Sequence, residues 1–178
     1  ALALCRELPV RQAAALLRGL EDCYRLSVGD RVLQFSSLSF DASIEECFGA
    51  LCNGAALVLR DDEWVADAAT FWRHCREQGI TMLSLPTAFW HQLGGGGFGD
   101  IPETVRLVVI GGEKANPELL SRWFHDCGMQ PQLINAYGPT ETTVDAIMQT
   151  VTGDPELQHA IGRPLRYVRA YILDAHGQ

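Results

Sequence analysis

Ten consecutive residues, 134–143, read Ile-Asn-Ala-Tyr-Gly-Pro-Thr-Glu-Thr-Thr and carry the side chains in this chain that are best suited to chemistry. The ring of Tyr137 offers a flat face on which a base can stack, and Gly138 lets the backbone approach a ligand closely. The hydroxyl of Thr140 can donate to phosphate oxygens, and the carboxylate of Glu141 can hold a hard cation such as magnesium. The apolar run before these residues predicts a strand, and open α/β sheets bind ligands at the carboxyl ends of strands. The segment therefore predicts a nucleotide triphosphate site rather than an ordinary Gly-Pro turn.

Two other segments carry groups of a related kind. Residues 38–43 (Leu-Ser-Phe-Asp-Ala-Ser) put the carboxylate of Asp41 at a predicted strand-to-helix corner, where the helix dipole keeps an acid ionised. That carboxylate can pair with a ligand ammonium or simply cap the helix, and the residues alone favour the cap. Residues 109–113 (Val-Ile-Gly-Gly-Glu) end a predicted strand in two glycines, against which a planar ring can lie. Asn135 can hydrogen-bond to the edge of an adenine.

In this order, the three segments resemble motifs of the adenylate-forming enzymes, and most closely those of the amino-acid-activating adenylation domains of nonribosomal peptide synthetases. Residues 134–143 resemble the adenine- and phosphate-binding motif, 38–43 resemble the Phe-Asp-x-Ser motif, and 109–113 resemble the strand end that lies along the adenine. The resemblance runs from about Arg11 to the C-terminus and matches a minority of a full adenylation domain. It implies that Asp41 binds the α-ammonium of an amino acid, which acyl- and aryl-activating relatives do not need.

The resemblance implies a role for each matching residue. Thr140 and Glu141 would be catalytic, with Glu141 holding Mg²⁺. The residues expected to contact ATP are Gly111, Gly112, Glu113, Asn135, Tyr137 and Thr140. Those expected to line the amino-acid pocket are Asp41, Ala42, Glu45, Ser84, Val109, Gly111, Ala136, Val144 and Asp145. The implied reaction joins an amino acid to ATP, giving an aminoacyl adenylate and pyrophosphate. The acyl group would then pass to the phosphopantetheine of a carrier protein that works beside condensation domains.

Besides Asp41, this pocket set contains two more carboxylates, Glu45 and Asp145. Two carboxylates that face a dry pocket repel each other unless a cation lies between them. This favours a substrate with a cationic side chain, such as arginine, lysine or ornithine. The alternative is that Glu45 faces solvent beside Glu46 on a helix, and Glu45 is also common in one branch of the family whatever its substrate.

Some parts of a complete adenylation domain have no counterpart in the sequence. A Ser/Thr/Gly-rich loop ending in Pro-Lys-Gly would precede residue 10, but residues 1–9 contain no glycine, serine, threonine or lysine. The ribose-binding aspartate and the C-terminal subdomain with its lysine would follow residue 178. We therefore expect residues 1–178 to be a single partial core that is nearly inactive alone. Two interpretations stay open, a truncated core of an amino-acid-activating enzyme and a degenerate non-catalytic module for scaffolding or protein contacts, with an acyl-CoA ligase relative as a weaker third.

Composition limits the class of partner. A net charge of −8 over 178 residues argues against nucleic acid or an anionic membrane surface as the main partner, and no apolar run approaches the length of a membrane span. The N-terminus lacks a signal pattern. Six scattered cysteines without a Cys-x-x-Cys pair are typical of reduced thiols in a cytoplasmic protein, and neither His74-Cys75 nor His125 with Cys127 has partners at zinc-ligand spacing.

Alternating apolar runs and helical periodicity predict an α/β domain with a mainly parallel sheet and helices on both faces, equivalent to part of the family's large N-terminal subdomain. Helices are predicted over 10–25, 42–52, 66–78, 87–93 and 117–127. Strands are predicted over 31–35, 56–59, 80–85, 105–110 and 132–136, followed by 144–151 and 167–174. Ser43 and Glu46 suggest a capping box at the start of the second helix, and the glycine run 94–97 suggests a flexible surface loop.

Overall fold

The computed structural model describes residues 10–154, 157 and 160–176. Within these ranges the helices are α1 (Val10–Tyr24), α2 (Ala42–Cys52), α3 (Ala68–Glu77), α4 (Thr87–Leu93) and α5 (Pro117–Cys127). The strands are β1 (Arg31–Gln34), β2 (Ala56–Leu59), β3 (Met82–Pro86), β4 (Leu107–Gly111), β5 (Gln132–Tyr137), β6 (Ile147–Thr150) and β7 (Arg163–Pro164). Short 3-10 helices span Asp62–Val65, Gly94–Gly96 and Thr140–Thr142. The phosphate-loop position expected before residue 10 lies outside the described residues.

The strands form one sheet in the order β2-β1-β3-β4-β5-β6-β7. Strands β1 to β5 run parallel to one another, and a helix connects each of them to the next in the chain. Strand β6 pairs antiparallel with β5, and β7 pairs antiparallel with β6. Parallel strands need such crossover connections because the chain must return to the same end of the sheet. The predicted α/β fold with a mainly parallel sheet is therefore confirmed.

Two hydrophobic cores lie on opposite faces of the sheet. Helices α3, α4 and α5 pack on one face, where Leu33 and Val108 point, and α1 and α2 pack on the other, where Val32 and Leu107 point. Because successive side chains of a strand point to opposite faces, strands covered on both sides read as continuous apolar runs, as these do. The same alternation decides which side chains reach which side of the sheet at its functional edge.

The end of the sheet differs from the predicted one. Strand β6 begins at Ile147 rather than at 144, because Thr143 and Val144 have φ angles of 69° and 64°, which are incompatible with an extended strand. The strand predicted over 167–174 is wrong: these residues have no regular structure and pair with no strand, and Ile172 is fully exposed. The partner of β6 is the two-residue strand β7 instead.

Helix α2 also begins differently from the prediction. Asp41 occupies the cap position, and the hydroxyl of Ser43, inside the first turn, donates to the carbonyl of Phe40 at 2.7 Å. Glu46 does not return to the helix start, because its carboxylate accepts from the backbone N–H of Ser36. The predicted capping box of Ser43 and Glu46 is therefore wrong.

The glycine run 94–97 is more ordered than the predicted surface loop. Residues Gly94–Gly96 continue α4 as a 3-10 helix. Gly94 is buried, and a Cβ at this position would collide with the ring of Phe98, which packs between Trp90 and Trp123. The run thus closes the core beneath these aromatic rings, and the prediction of a flexible loop is wrong for Gly94.

No helix in the described ranges is long and apolar enough to cross a membrane. The same ranges contain no group of three or more His, Cys, Asp and Glu side chains placed to hold a metal ion. Burial raises the pKa of the Cys75 thiol to about 12 and that of Cys127 to about 11, so both stay protonated at neutral pH. The free cysteines of the described residues are Cys23, Cys47, Cys52, Cys75 and Cys127.

Candidate functional site

Two cavities meet at the carboxyl ends of β4 and β5. The first, which we call the acidic cavity, has a volume of about 510 Å³ and is bordered by Asp41, Glu45 and Asp145. All nine residues predicted to line the amino-acid pocket border this cavity. The second, the glycine-edge cavity, has a volume of about 530 Å³ and is bordered by Gly112 and Asn135, among others. The predicted pocket residues are thus brought together, whereas their binding roles stay predictions.

Strand alternation divides the two cavities. In the sheet register Ser84 pairs with Val109, and Gly111 pairs with Ala136, so these four side-chain positions face the acidic cavity. Asn135 precedes Ala136 and points to the opposite face, into the glycine-edge cavity. Gly112, Ala136 and Gly138 border both cavities. A ligand at this edge can therefore contact both faces of the sheet.

Asp41 borders the acidic cavity. It has the position of the N-cap of α2, but its φ and ψ of −66° and −29° are helical and its side chain makes no capping hydrogen bond. The capping alternative, which the residues alone favoured, is therefore not used. A half-buried carboxylate beside the positive end of a helix is well placed to accept an ammonium group.

Glu45 points into the protein, not into solvent. Its side chain is buried, and its two oxygens accept hydrogen bonds from two hydroxyls: Tyr24 at 3.2 Å and Ser84 at 2.7 Å. Both donors are neutral. The carboxylate is thus held by three elements, α1, α2 and β3, and it borders the acidic cavity. Sequence reasoning missed Tyr24, because it reads as one more apolar position on the inner face of α1.

Asp145 is the second buried acid of the cavity, exposed by only 8%. Its Oδ2 atom is buried and has no hydrogen-bond partner among the described residues. Burial raises its pKa well above the usual value, and the charge of Glu45, a hydrogen bond with Glu45 and the charge of Asp41 add to the effect. The left-handed backbone of Thr143 and Val144 turns the chain so that Asp145 faces inward just before β6.

One arginine also borders the acidic cavity but is engaged elsewhere. The Nε of Arg60 donates to the carbonyl of Phe35 at 2.9 Å, and its guanidinium lies 4.6 Å from the centre of the Phe35 ring. In the described structure no hydrogen bond or ion pair joins Arg60 to Glu45 or Asp145. Within the described ranges, the two buried acids therefore have no protein cation in contact.

The backbone at the shared edge is shaped by glycines. A Cβ at Gly138 would collide with the carbonyl of Val144, so only glycine fits where the loop passes this close. Gly112 has a φ of 89° and open space where a Cβ would lie. This leaves a backbone surface beside the glycine-edge cavity against which a flat ring can lie, with the half-exposed ring of Tyr137 on the same cavity.

Thr140 and Glu141 stand apart from this cavity. They begin the 3-10 helix Thr140–Thr142, which follows the glycine turn. Glu141 is exposed and borders a third, smaller cavity of about 180 Å³ together with Thr143, Asp145 and Gln12 of α1. Glu141 thus lies between α1 and the acidic cavity, and neither Thr140 nor Glu141 is among the residues that line the glycine-edge cavity.

The sequence matches a known family along almost its whole length. The family described as AMP-binding enzyme matches residues 8–178. The chain therefore belongs to the AMP-binding enzyme family. Two relatives are much longer synthases: the isonitrile lipopeptide synthase of Streptomyces coeruleorubidus, 42% identical over 94% of this chain, and bacitracin synthase 3 of Bacillus licheniformis, 38% identical over 84%. The chain spans 12% of the first protein and 2% of the second.

Solved structures agree with this assignment. The nonribosomal peptide synthetase FmoA3 in its α-methyl-L-serine-AMP-bound form matches with a TM-score of 0.81 and 26% identity, over 93% of this chain and 19% of that one. Its AMPPNP-bound form matches with a TM-score of 0.80. The resemblance to synthetase adenylation domains that residues 38–43, 109–113 and 134–143 carry is thereby confirmed.

Proposed function

We propose that this chain is the part of an amino-acid-activating adenylation domain that holds the amino acid and the adenine end of ATP. In the reaction, a carboxylate oxygen of the amino acid attacks the α-phosphorus of ATP, and the bond to the β-phosphate oxygen breaks. The products are an aminoacyl adenylate and pyrophosphate. The observation that carries this proposal is the acidic cavity, in which Asp41, Glu45 and Asp145 lie next to a glycine-shaped nucleotide edge.

The amino acid's α-ammonium is assigned to Asp41. Its carboxylate borders the cavity, makes no capping bond and lies at the start of α2. The substrate of an acyl-CoA ligase has no ammonium group, so such an enzyme has no use for an acid at this position that does not cap the helix. The geometry of Asp41 therefore supports an amino acid rather than a simple acid as substrate.

A basic side chain is assigned to the inner end of the cavity. Glu45 and Asp145 are both buried there, and no Lys or Arg of the described chain pairs with them. Removing charge from water is costly unless an opposite charge compensates it. A guanidinium or ammonium group on the substrate supplies that charge, so we propose arginine, lysine or ornithine as the substrate.

ATP fits the edge where the cavities join. The glycine-edge cavity offers the Tyr137 ring, the open backbone at Gly112 and the amide of Asn135 to an adenine, while Glu113 borders its rim. Magnesium in nucleotide sites is held by one or two carboxylates and by substrate phosphates, and the exposed carboxylate of Glu141 suits this role. Bound there, Mg²⁺ would stabilise the charge of the phosphates, and the Thr140 hydroxyl would donate a hydrogen bond to a phosphate oxygen. The protein contributes positioning more than acid–base chemistry.

The activated acyl group is proposed to pass to a carrier protein. The thiol of a phosphopantetheine attacks the acyl carbon, the bond to the phosphate oxygen breaks, and AMP leaves. Carrier and condensation domains would be the partners in a synthetase. Reaction with ATP and the free thiols of the described residues fit the cytoplasmic location predicted from the sequence.

The test is amino-acid-dependent exchange of pyrophosphate with ATP by the complete protein, with arginine, lysine, ornithine, leucine and norleucine compared at saturating ATP. A basic amino acid should be activated best. Preference for leucine would overturn the assignment of a basic side chain, and absence of exchange with every amino acid in a folded, ATP-binding protein would favour the non-catalytic alternative.

A further inference from the structure

Three buried residues from different parts of the chain lie together beside the acidic cavity. Tyr24 of α1 donates its hydroxyl to Glu45 of α2, and Asp145, just before β6, borders the same cavity. All three side chains are buried, with relative exposures of 2%, 4% and 8%. Tyr24 packs in the core beneath α2, so its hydroxyl is fixed in position by the ring.

Among the described residues, no cation pairs with the two acids Glu45 and Asp145. Asp41 and Cys23 lie close enough to interact, and neither is cationic. Two arginines are near but are engaged elsewhere: Arg60, which borders the acidic cavity, with the Phe35 carbonyl, and Arg166, which borders the adjacent smaller cavity, with Asp22 at 3.3 Å. Two carboxylates in such a place cannot both be ionised without a large cost.

The hydrogen bonds distinguish the two acids. Both oxygens of Glu45 accept from hydroxyls, Oε2 from Tyr24 and Oε1 from Ser84. Asp145 receives no such donor, and its Oδ2 has no partner in the described structure. Two neighbouring buried acids that lack a cation are stabilised by one proton between them, and the acid without donors is the better place for it.

We propose that, in the empty cavity, Asp145 carries a proton that it shares with Glu45, that Tyr24 positions Glu45 for this contact, and that a cationic substrate side chain displaces the proton. The step balances: the neutral Asp145 carboxyl loses H⁺ to solvent and pairs as a carboxylate with the incoming ammonium or guanidinium. The inference rests on the proposed function, since it needs a basic amino acid as ligand. It adds that substrate binding is coupled to proton release and that Tyr24, outside the predicted site, controls the coupling.

The direct test is calorimetry of amino-acid binding to the complete protein, in the presence of a non-hydrolysable ATP analogue. Titrations in buffers of different ionisation enthalpy count the protons released. We expect close to one proton per basic amino acid bound and none for norleucine, which has a similar length and no charge. Because binding releases a proton, KM for the basic amino acid should fall as the pH rises. The fall should be up to about tenfold per pH unit across the range in which the proton titrates.

The outcomes separate the two proposals. Preferred binding of a basic amino acid without proton release overturns the shared proton and leaves the proposed function intact. Preferred binding of norleucine overturns the basic substrate, and the shared-proton proposal fails with it.

Tyr24→Phe tests the positioning role, because it removes one hydroxyl and keeps the buried ring. The KM for the basic amino acid should rise about tenfold, with kcat little changed, because a hydrogen bond to a charged group is lost. The pH at which KM levels off should also move, which a purely structural role for Tyr24 would not cause. Tyr171→Phe, at an exposed tyrosine, is the matched control. An unchanged pH profile in folded Tyr24→Phe would refute the role of Tyr24, and the calorimetry on the unmodified protein does not depend on this variant.

Discussion

The backbone N–H of Ser36 donates to both oxygens of the buried Glu46 carboxylate, at 3.1 and 3.2 Å. The side chain of Gln34 donates to the same carboxylate at 3.3 Å. Residues 35–41 leave strand β1 here and end at Asp41, so an acid on α2 fixes the segment that carries the proposed ammonium-binding residue. Adjacent acids on one helix thus have different positions, Glu45 in the cavity and Glu46 beneath this segment.

Glu46 should make stability depend on pH. Burial raises its pKa from 4.5 to about 7, against the opposing effect of the Ser36 N–H. The folded state therefore binds more protons than the unfolded state between these values, and the free energy of unfolding falls as pH rises from about 4.5 to 7, by roughly 3 kcal/mol. Urea unfolding of the 178-residue chain at pH 4 to 8, followed by the fluorescence of its buried tryptophans, measures the slope.

Glu46→Gln should reduce this slope while keeping one acceptor for Ser36. The slope should not vanish, because the raised pKa of Asp145 acts in the same direction. Glu118→Gln, at an exposed acid in the first turn of α5, serves as the control and should leave the slope unchanged. Equal slopes in all three proteins would show that Glu46 does not titrate in this range.

The two cavity acids should control the choice of substrate. Asp145→Ala and Glu45→Ala in the complete protein should each weaken transition-state binding of a basic amino acid by roughly 2–5 kcal/mol, because a buried charge loses its partner. Exchange rates with arginine, lysine, ornithine and leucine give kcat/KM for each. The kcat/KM for leucine should be unchanged or higher. Glu103→Ala, at an exposed acid, is the control, and a uniform loss across all four amino acids would point to damaged folding instead.

Gly138→Ala should disrupt the edge between the two cavities. The new Cβ would overlap the carbonyl of Val144, so the turn must open, at a cost of about 1–3 kcal/mol in the free energy of unfolding. In the complete protein, KM for ATP and for the amino acid should both rise, since the residue borders both cavities. Gly95→Ala, where a Cβ meets no atom within 4 Å, should change neither. Normal binding constants in Gly138→Ala would mean that the edge tolerates the shift.

An ion pair at the opposite end of the sheet should stabilise the fold at neutral pH. Burial by itself raises the pKa of Asp30, but hydrogen bonds from Arg106, Thr81 and Ser27 outweigh it and lower that pKa to about 2. The Arg106 Nε donates to Asp30 at 2.8 Å. A lowered pKa gives stability that is present above about pH 4 and is lost as pH falls through 2.

Asp30→Asn should therefore cost about 2 kcal/mol at pH 7 and remove this part of the acid sensitivity. Urea unfolding at pH 7 and pH 3 measures both effects. Asp100→Asn, at an exposed position, should resemble the unmodified chain. If Asp30→Asn lost no stability at pH 7, the pair with Arg106 would contribute nothing net.

The sequence determined the strands and helices that carry the site. Apolar runs such as 107–110 and 132–134 are continuous because both faces of the sheet are covered, so a parallel α/β sheet follows from local pattern alone. The order of glycines and polar residues after β4 and β5 likewise identified the family. The prediction failed at 167–174, because an apolar segment becomes a strand only where another strand offers its hydrogen bonds.

Tertiary structure decided the electrostatics. Glu45 and Glu46 are chemically equal neighbours in sequence, and only the packing of α2 on the sheet sends one into the cavity and the other to Ser36. Asp145 meets Glu45 from a distant part of the chain because two left-handed residues turn the backbone before β6. Tyr24 reaches Glu45 only because α1 packs on α2. Local periodicity reports which side of an element is buried, but burial of charge depends on which elements converge, and that is fixed by the fold as a whole.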